Sequence, residues 1–253
     1  MTSPYPLLQG EGKYYIFARS IKMNMKKLTI LTASFIFALS AIATPPDSTV
    51  AKKKPAAAKD RILIGGGFAN WPNAPAGVNI KFAGSRAFDA AVMYDQPLGT
   101  SPISLALGLG FSAQNISSNA QFIVDSTGTT ALVPYADSVY SDIKRNKIST
   151  SYVNIPFELR FRSKPDKAYR RWNIAAGFKF GLLVQSHFKY QDSNVKTKSY
   201  PVDNLNLLNY GPTFRFGYGQ ISLYGYYALS NVFENGKGPW VTPFNFGLVL
   251  APF

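Results

Sequence analysis

The chain has 253 residues, with 27 Lys and Arg against 13 Asp and Glu for a formal charge of +14, a single His and no Cys. The absence of thiols excludes a disulfide scaffold and a thiolate metal site, and one His leaves no credible metal cluster. The basic residues are scattered instead of being gathered on one face, which argues against a nucleic-acid partner and favours an anionic lipid headgroup surface.

Residues 1–22 carry Pro4, Pro6, Gly10 and Gly12 without sustained periodicity and read as an upstream extension. Residues 23–43 follow a different logic. Met25-Lys26-Lys27 is a basic start, Leu28 to Ala43 is an apolar run, and Ala41-Ile42-Ala43 places small residues before Thr44-Pro45-Pro46. That is the pattern of a secretory signal, with the true start at Met23 or Met25. Residues 44–60 are rich in Pro, Ala and Lys and read as a flexible leader. The folded body is expected over 61–253, outside the cytoplasm and still basic after Lys13, Arg19, Lys22, Lys26 and Lys27 are removed.

From Ile62 onward no amphipathic helical pattern is sustained, but eight segments alternate with a period near two. They run from Arg61 to Trp71, Arg86 to Asp95, Ile103 to Gln114, Lys147 to Arg162, Trp172 to Phe188, Leu208 to Tyr218, Ile221 to Leu229 and Val241 to Leu250. In the third, Ile103, Leu105, Leu107, Leu109 and Phe111 oppose Ser104, Ala106, Gly108, Gly110 and Ser112. In the fourth, Val153, Ile155, Phe157, Leu159 and Phe161 oppose Tyr152, Asn154, Glu158, Arg160 and Arg162. The fifth sets Trp172, Ile174, Phe178, Phe180, Leu182 and Val184 against Asn173, Gly177, Lys179, Gly181 and Gln185. Successive strand residues point to opposite faces, so each segment has one bulky apolar face and one small or charged face. A soluble barrel would bury the apolar face inside; a barrel in lipid turns it outward.

Length and connections support the second arrangement. Spanning hydrocarbon takes roughly 9 to 11 tilted residues, and most segments supply them. Backbone groups in lipid must pair within the protein, which demands a closed sheet. Connections after odd-numbered segments (Pro72 to Ser85, Asn115 to Asn146, Lys189 to Leu207, Ser230 to Trp240) are longer than those after even-numbered ones (Gln96 to Pro102, Ser163 to Arg171, Gly219-Gln220). The expected fold is all-β: an eight-stranded antiparallel up-and-down transmembrane β-barrel in the outer membrane, with short periplasmic turns and longer outer loops. Its narrow interior should be filled by side chains.

Tyr152-Val153-Asn154-Ile155-Pro156-Phe157-Glu158-Leu159-Arg160-Phe161, followed by Trp172-Asn173-Ile174-Ala175-Ala176-Gly177, resembles the PorT-like outer-membrane β-barrel family common in Bacteroidota. The likeness in layout covers 61–253. It implies a Gram-negative outer-membrane address and, through the type IX secretion system to which PorT belongs, partners among envelope or secretion-system proteins as well as outer-membrane lipids. Pro156 removes a ladder donor, so a bulge or irregularity is expected there.

The inward-parity charges Asp89, Glu158, Arg160, Lys179 and Arg215 form the candidate site, read as a lumen network in which carboxylates and cations pair because buried charges require partners. His187 with Ser186, Ser112, Ser117 or Ser118 is the one pattern pointing toward a hydrolase. Ser186 and His187 are adjacent and so face opposite ways, and His187 is expected at the rim. Gly65-Gly66-Gly67 lacks the Lys and Ser or Thr of a phosphate loop and belongs inside a strand. The expectation is a structural or protein-interaction barrel without catalytic residues, cofactor or metal; a narrow channel and a lipid-modifying enzyme are the alternatives.

Overall fold

The structure is a computed structural model that describes residues 62–136 and 141–251. All of these fall within the unit Lys54–Phe253. The upstream extension, the signal and the leader lie outside the described residues. The strands are β1 (Ile62–Asn70), β2 (Arg86–Pro97), β3 (Ile103–Ser117), β4 (Ala120–Val124), β5 (Thr130–Pro134), β6 (Arg145–Arg162), β7 (Trp172–Gln191), β8 (Lys196–Ser199), β9 (Leu208–Tyr218), β10 (Ile221–Tyr227) and β11 (Phe244–Leu250).

Eight of them close a ring in the order β6, β3, β2, β1, β11, β10, β9, β7, with β7 returning to β6. Every pairing around it is antiparallel. The closing seam joins the two ends of the body, from Ile64 opposite Leu250 to Asn70 opposite Phe244. No open edge is left in the hydrocarbon layer, which is what lipid requires of a sheet. Among the described residues no helix is long and apolar enough to cross a membrane.

Alternation places the two faces as their chemistry demands. Ile155, Phe157, Leu159 and Phe161 of β6 are exposed while Asn154, Glu158 and Arg160 between them are buried. Phe214 and Phe216 of β9 are likewise exposed, and Thr213 and Arg215 are buried. The small inward residues are required by the tight radius. A Cβ at Gly211 would sit 2.0 Å from the Tyr227 carbonyl oxygen, and one at Gly177 would sit 2.2 Å from that of Phe157.

One local expectation needs correction, and the irregularity expected at Pro156 takes the form of a lapse in pairing. Gln185 does not continue the inward face of β7: it is exposed, and Ser186 is buried instead. The cause is a bulge. Ser151 pairs with Gln185 but Tyr152 pairs with Leu183, so Val184 is an extra residue that reverses the facing of everything beyond it. Pro156, by contrast, carries no bulge. It pairs with Lys179 in regular register, and its missing N–H shows only toward β3, where pairing lapses between Leu107 opposite Phe157 and Gly110 opposite Asn154.

The outer connections are also more structured than a loop reading supplies. β4 and β5 form a hairpin inside the second connection, and β8 pairs with the upper part of β7, above the part that pairs with β9. The four connections bond to one another. Thr130 N–H donates to the Lys237 carbonyl at 3.0 Å, Asn204 Nδ2 donates to the Gly128 carbonyl at 2.8 Å, and Thr242 N–H donates to Asn73 Oδ1 at 2.8 Å. Beneath these bonds Trp71, Ile116, Leu132, Ile148, Phe233 and Val241 pack into an apolar lid over the outer mouth. A smaller apolar floor of Leu63, Met93, Ala106, Val249 and Ala251 fills the periplasmic end.

The periplasmic turn after β6 is organised by Asp166. Its carboxylate accepts from the Ala168 and Arg170 N–H groups at 2.8 Å each and from the Tyr218 hydroxyl. The Tyr218 hydrogen bond first, then the Arg170 and Ala168 N–H groups and the Arg170 charge, hold it below the usual carboxylate range against the opposing effect of desolvation. A depressed folded-state pKa stabilises the turn above the ordinary carboxylate value and is lost as pH falls through the lowered one. An NMR titration of Asp166 is expected to show a midpoint below that of an unstructured Asp, and Tyr218→Phe should raise it.

Candidate functional site

Lid and floor enclose a polar middle section built from inward positions of five strands. Lys179 on β7 reaches Asp89 on β2 at 2.7 Å, donates to the Tyr224 hydroxyl at 3.3 Å and lies 4.1 Å from the centre of the Tyr226 ring. Glu158 on β6 accepts through one oxygen from Arg160 Nε at 2.7 Å and from Arg215 Nη2 on β9 at 3.1 Å. Arg160 is 1% exposed, and Glu158 and Lys179 are each 5% exposed. The structure thus places all five sequence-predicted residues in the lumen, as two groups joined to separate carboxylates.

The network extends further toward the floor than the sequence reading reached. Asp95 at the end of β2 takes Arg160 Nη1 at 3.5 Å and Arg162 Nη1 at 3.0 Å, with the Ser104 hydroxyl donating to it at 2.8 Å. Parity was the available signal. Asp95 shares the face of Asp89, and Arg162 shares that of Glu158 and Arg160. Tyr224 and Tyr226 were missed for a different reason: an aromatic on an inward position reads as packing, and only the closed ring reveals the ammonium beside it.

Among the described residues, three carboxylates therefore meet four cations in this interior. Bridging of two guanidinium groups by one Glu158 oxygen lets a single anion serve its own strand and, across the lumen face of β7, β9, which suits a bore too narrow for separate pairs. A cavity of about 40 Å³ remains, bordered by Asp89, Pro156, Glu158, Lys179, Arg215 and Tyr224. That volume holds on the order of one to three waters.

The remaining candidates separate in space. Ser186 is buried beneath the lid and accepts from the Val202 N–H at 3.1 Å. His187 faces the opposite way, with its ring 5.0 Å from that of Tyr200. Ser112 lies in the lumen against Asn154, whose Nδ2 donates to it at 2.9 Å. Ser117 and Ser118 stand at the rim, bonded to the Asn146 carbonyl and the Ala120 N–H. Among the described residues none of these serines hydrogen-bonds His187. Gly65, Gly66 and Gly67 lie in β1 between β2 and β11. Among the described residues no group of three or more His, Cys, Asp and Glu is placed to hold a metal ion.

No curated protein and no solved structure matches the chain. A family model described as an outer membrane protein beta-barrel domain matches residues 63–234, from β1 into the last outer connection. β11 lies beyond that match and closes the ring on β1. With the match spanning most of the chain over a closed ring of eight strands whose apolar residues face outward, the chain belongs to the outer membrane protein β-barrel domain family and is an outer-membrane barrel.

Proposed function

We propose that this barrel is a structural or protein-interaction element of the outer membrane, working within a secretion or envelope-assembly complex and presenting its lid as the contact surface. The observation that carries this reading is the filled interior. Apolar lid, ion-paired middle and apolar floor occupy the lumen, and the cavities beside the ion pairs are small, about 40 Å³ and about 10 Å³, so material that arrives at the outer face meets a packed surface. The lid in turn is tied together by hydrogen bonds between all four connections, which gives a partner a preorganised face. The β4–β5 hairpin turns Phe122 and Leu132 down into the lid while Ile123 and Val133 stay exposed above it. The resemblance of the β6 sequence to PorT-like barrels of Bacteroidota agrees with a secretion-complex setting.

Two measurements test this. Reconstituted in planar bilayers, the protein should give no stable conductance steps; regular steps would favour the rival reading of a narrow channel for ions or small solutes. Ile123→Asp combined with Val133→Asp should remove envelope proteins that co-purify with the wild type, while the barrel keeps its heat-modifiable mobility. An unchanged set of co-purified proteins would overturn the lid as contact surface. Surface substitution is the better test than deleting the second connection, because Ala120, Leu132 and Ile143 are buried and their loss would unpack the lid itself.

A further inference from the structure

We propose that the outward face of β6, β7 and β8, just above the lipid-facing band, is a binding site for a phosphorylated lipid headgroup of the outer leaflet. Strand register builds it. Lys147 on β6 lies directly opposite Lys189 on β7, and Lys189 lies directly opposite Lys198 on β8. In the next rank Arg145, Gln191 and Lys196 stand abreast in the same way. Neighbouring strands are about 4.8 Å apart, so three ammonium groups share a row roughly 10 Å wide. Like charges directly opposite each other repel.

The described residues do not neutralise that row. Among the described residues no carboxylate lies within 4.0 Å of Lys147, Lys189, Lys196 or Lys198. Asp192 at the top of β7 turns its carboxylate to the Asn194 and Val195 N–H groups and the Tyr190 hydroxyl. Lys198 rests against the Tyr200 ring at 4.6 Å. Among the described residues, an anion is the component this arrangement lacks.

Position identifies the anion. β6 and β7 have 18 and 20 residues, well beyond the roughly 9 to 11 that hydrocarbon requires. Their outward apolar runs stop at Val153 and Val184, and above them come Ser151, Ser149, Lys147 and Arg145 on one strand and Gln185, His187, Lys189 and Gln191 on the other. The row thus stands on the side wall of the barrel, continuous with the lipid-facing surface and apart from the top of the lid. Lysine stems reach back toward the membrane from such a height, and an ammonium is a good point-charge partner for phosphate.

The bulge is the second observation. Below Val184 the odd residues of β7, such as Lys179, face the lumen; above it they face outward. Without that one extra residue, His187 and Lys189 would point inward and Phe188 would face out. The insertion instead delivers Phe188 to the lid, 5.2 Å from Phe122, and completes the row of lysines on the wall. This site stands independently of whether the lid engages a protein.

The test uses the purified full chain in neutral detergent with lipid A as probe, in its phosphorylated and dephosphorylated forms, read by native mass spectrometry. The wild type should retain the phosphorylated form in preference to the dephosphorylated one. Lys147→Gln, Lys189→Gln and Lys198→Gln combined should weaken retention on the order of a hundredfold, about fivefold per lysine near an anionic surface. The triple Lys→Arg variant should bind as the wild type does, which separates lost charge from lost fold. Equal retention by the Gln variant would overturn the proposal, as would equal binding of the dephosphorylated lipid. Displacement of the lipid by equimolar inorganic phosphate would overturn it in favour of a free-anion site. Loss of an acidic envelope protein with lipid retention unchanged would reassign the patch to a protein partner.

Discussion

Glu158→Gln is expected to destabilise the folded barrel by about 3–5 kcal/mol, the range for breaking a buried ion pair from one side. The carboxylate is the only one bonded to Arg215 and one of two serving Arg160 among the described residues. Its neutralisation leaves guanidinium charge in an interior with room for only a few waters. Distance alone would not predict this. Lys237 and Glu234 are also 2.8 Å apart, yet both side chains are about half exposed in the last outer connection, where such a pair contributes about 0–1 kcal/mol. Burial decides the difference. Denaturant unfolding in lipid vesicles, followed by the fluorescence of Trp71, Trp172 and Trp240, measures it. Replacing the group together, Glu158→Leu with Arg160→Met and Arg215→Leu, should recover much of the loss, since apolar residues of similar volume substitute well for a buried charge cluster. If Glu158→Gln unfolded at the wild-type denaturant concentration, the lumen network would not be a determinant of stability.

Phe157→Arg and Leu248→Arg are expected to impair membrane assembly by about 2–4 kcal/mol each, the cost of a lipid-facing charge near the bilayer midplane. Phe157 is 44% exposed in the middle of the outward run of β6, and Leu248 is 53% exposed on β11. In the ring order β6 and β11 stand four strands apart, on opposite sides of the barrel, so the two penalties should add. The measurement is the fraction that inserts into vesicles and retains heat-modifiable mobility. Lys189→Gln, on the same strand wall above the lipid band, should insert as the wild type does. Normal insertion of both arginine variants would reverse the assignment of faces.

Much of this molecule is present in its period-two pattern. Residues such as Val153, Ile155 and Phe157 alternate with Asn154 and Glu158 because a strand sends neighbours to opposite faces, and lipid and lumen demand opposite chemistry. The eight strands, their facing and the asymmetry of long outer and short periplasmic connections follow from that one rule, together with the inward parity of Asp89, Glu158, Arg160, Lys179 and Arg215. Elements without such a contrast were invisible. β8 is Lys-Thr-Lys-Ser, and only its backbone bonds to β7 make it a strand.

Tertiary structure decided what local pattern cannot encode. Which cation meets which carboxylate depends on the stagger of the strands around the ring, so Arg215 on β9 reaches Glu158 on β6, and Asp95 joins Arg160 and Arg162. The bulge at Val184 arises from pairing with β6, and a single extra residue there moved Gln185 and Lys189 outward and Ser186 inward. The lid depends on connections distant in sequence packing over one mouth, with Phe233 and Leu132 in the same apolar cluster. Side-chain alternation is a property of one strand and is legible residue by residue; register, closure and packing are properties of pairs, and only the closed ring determines them.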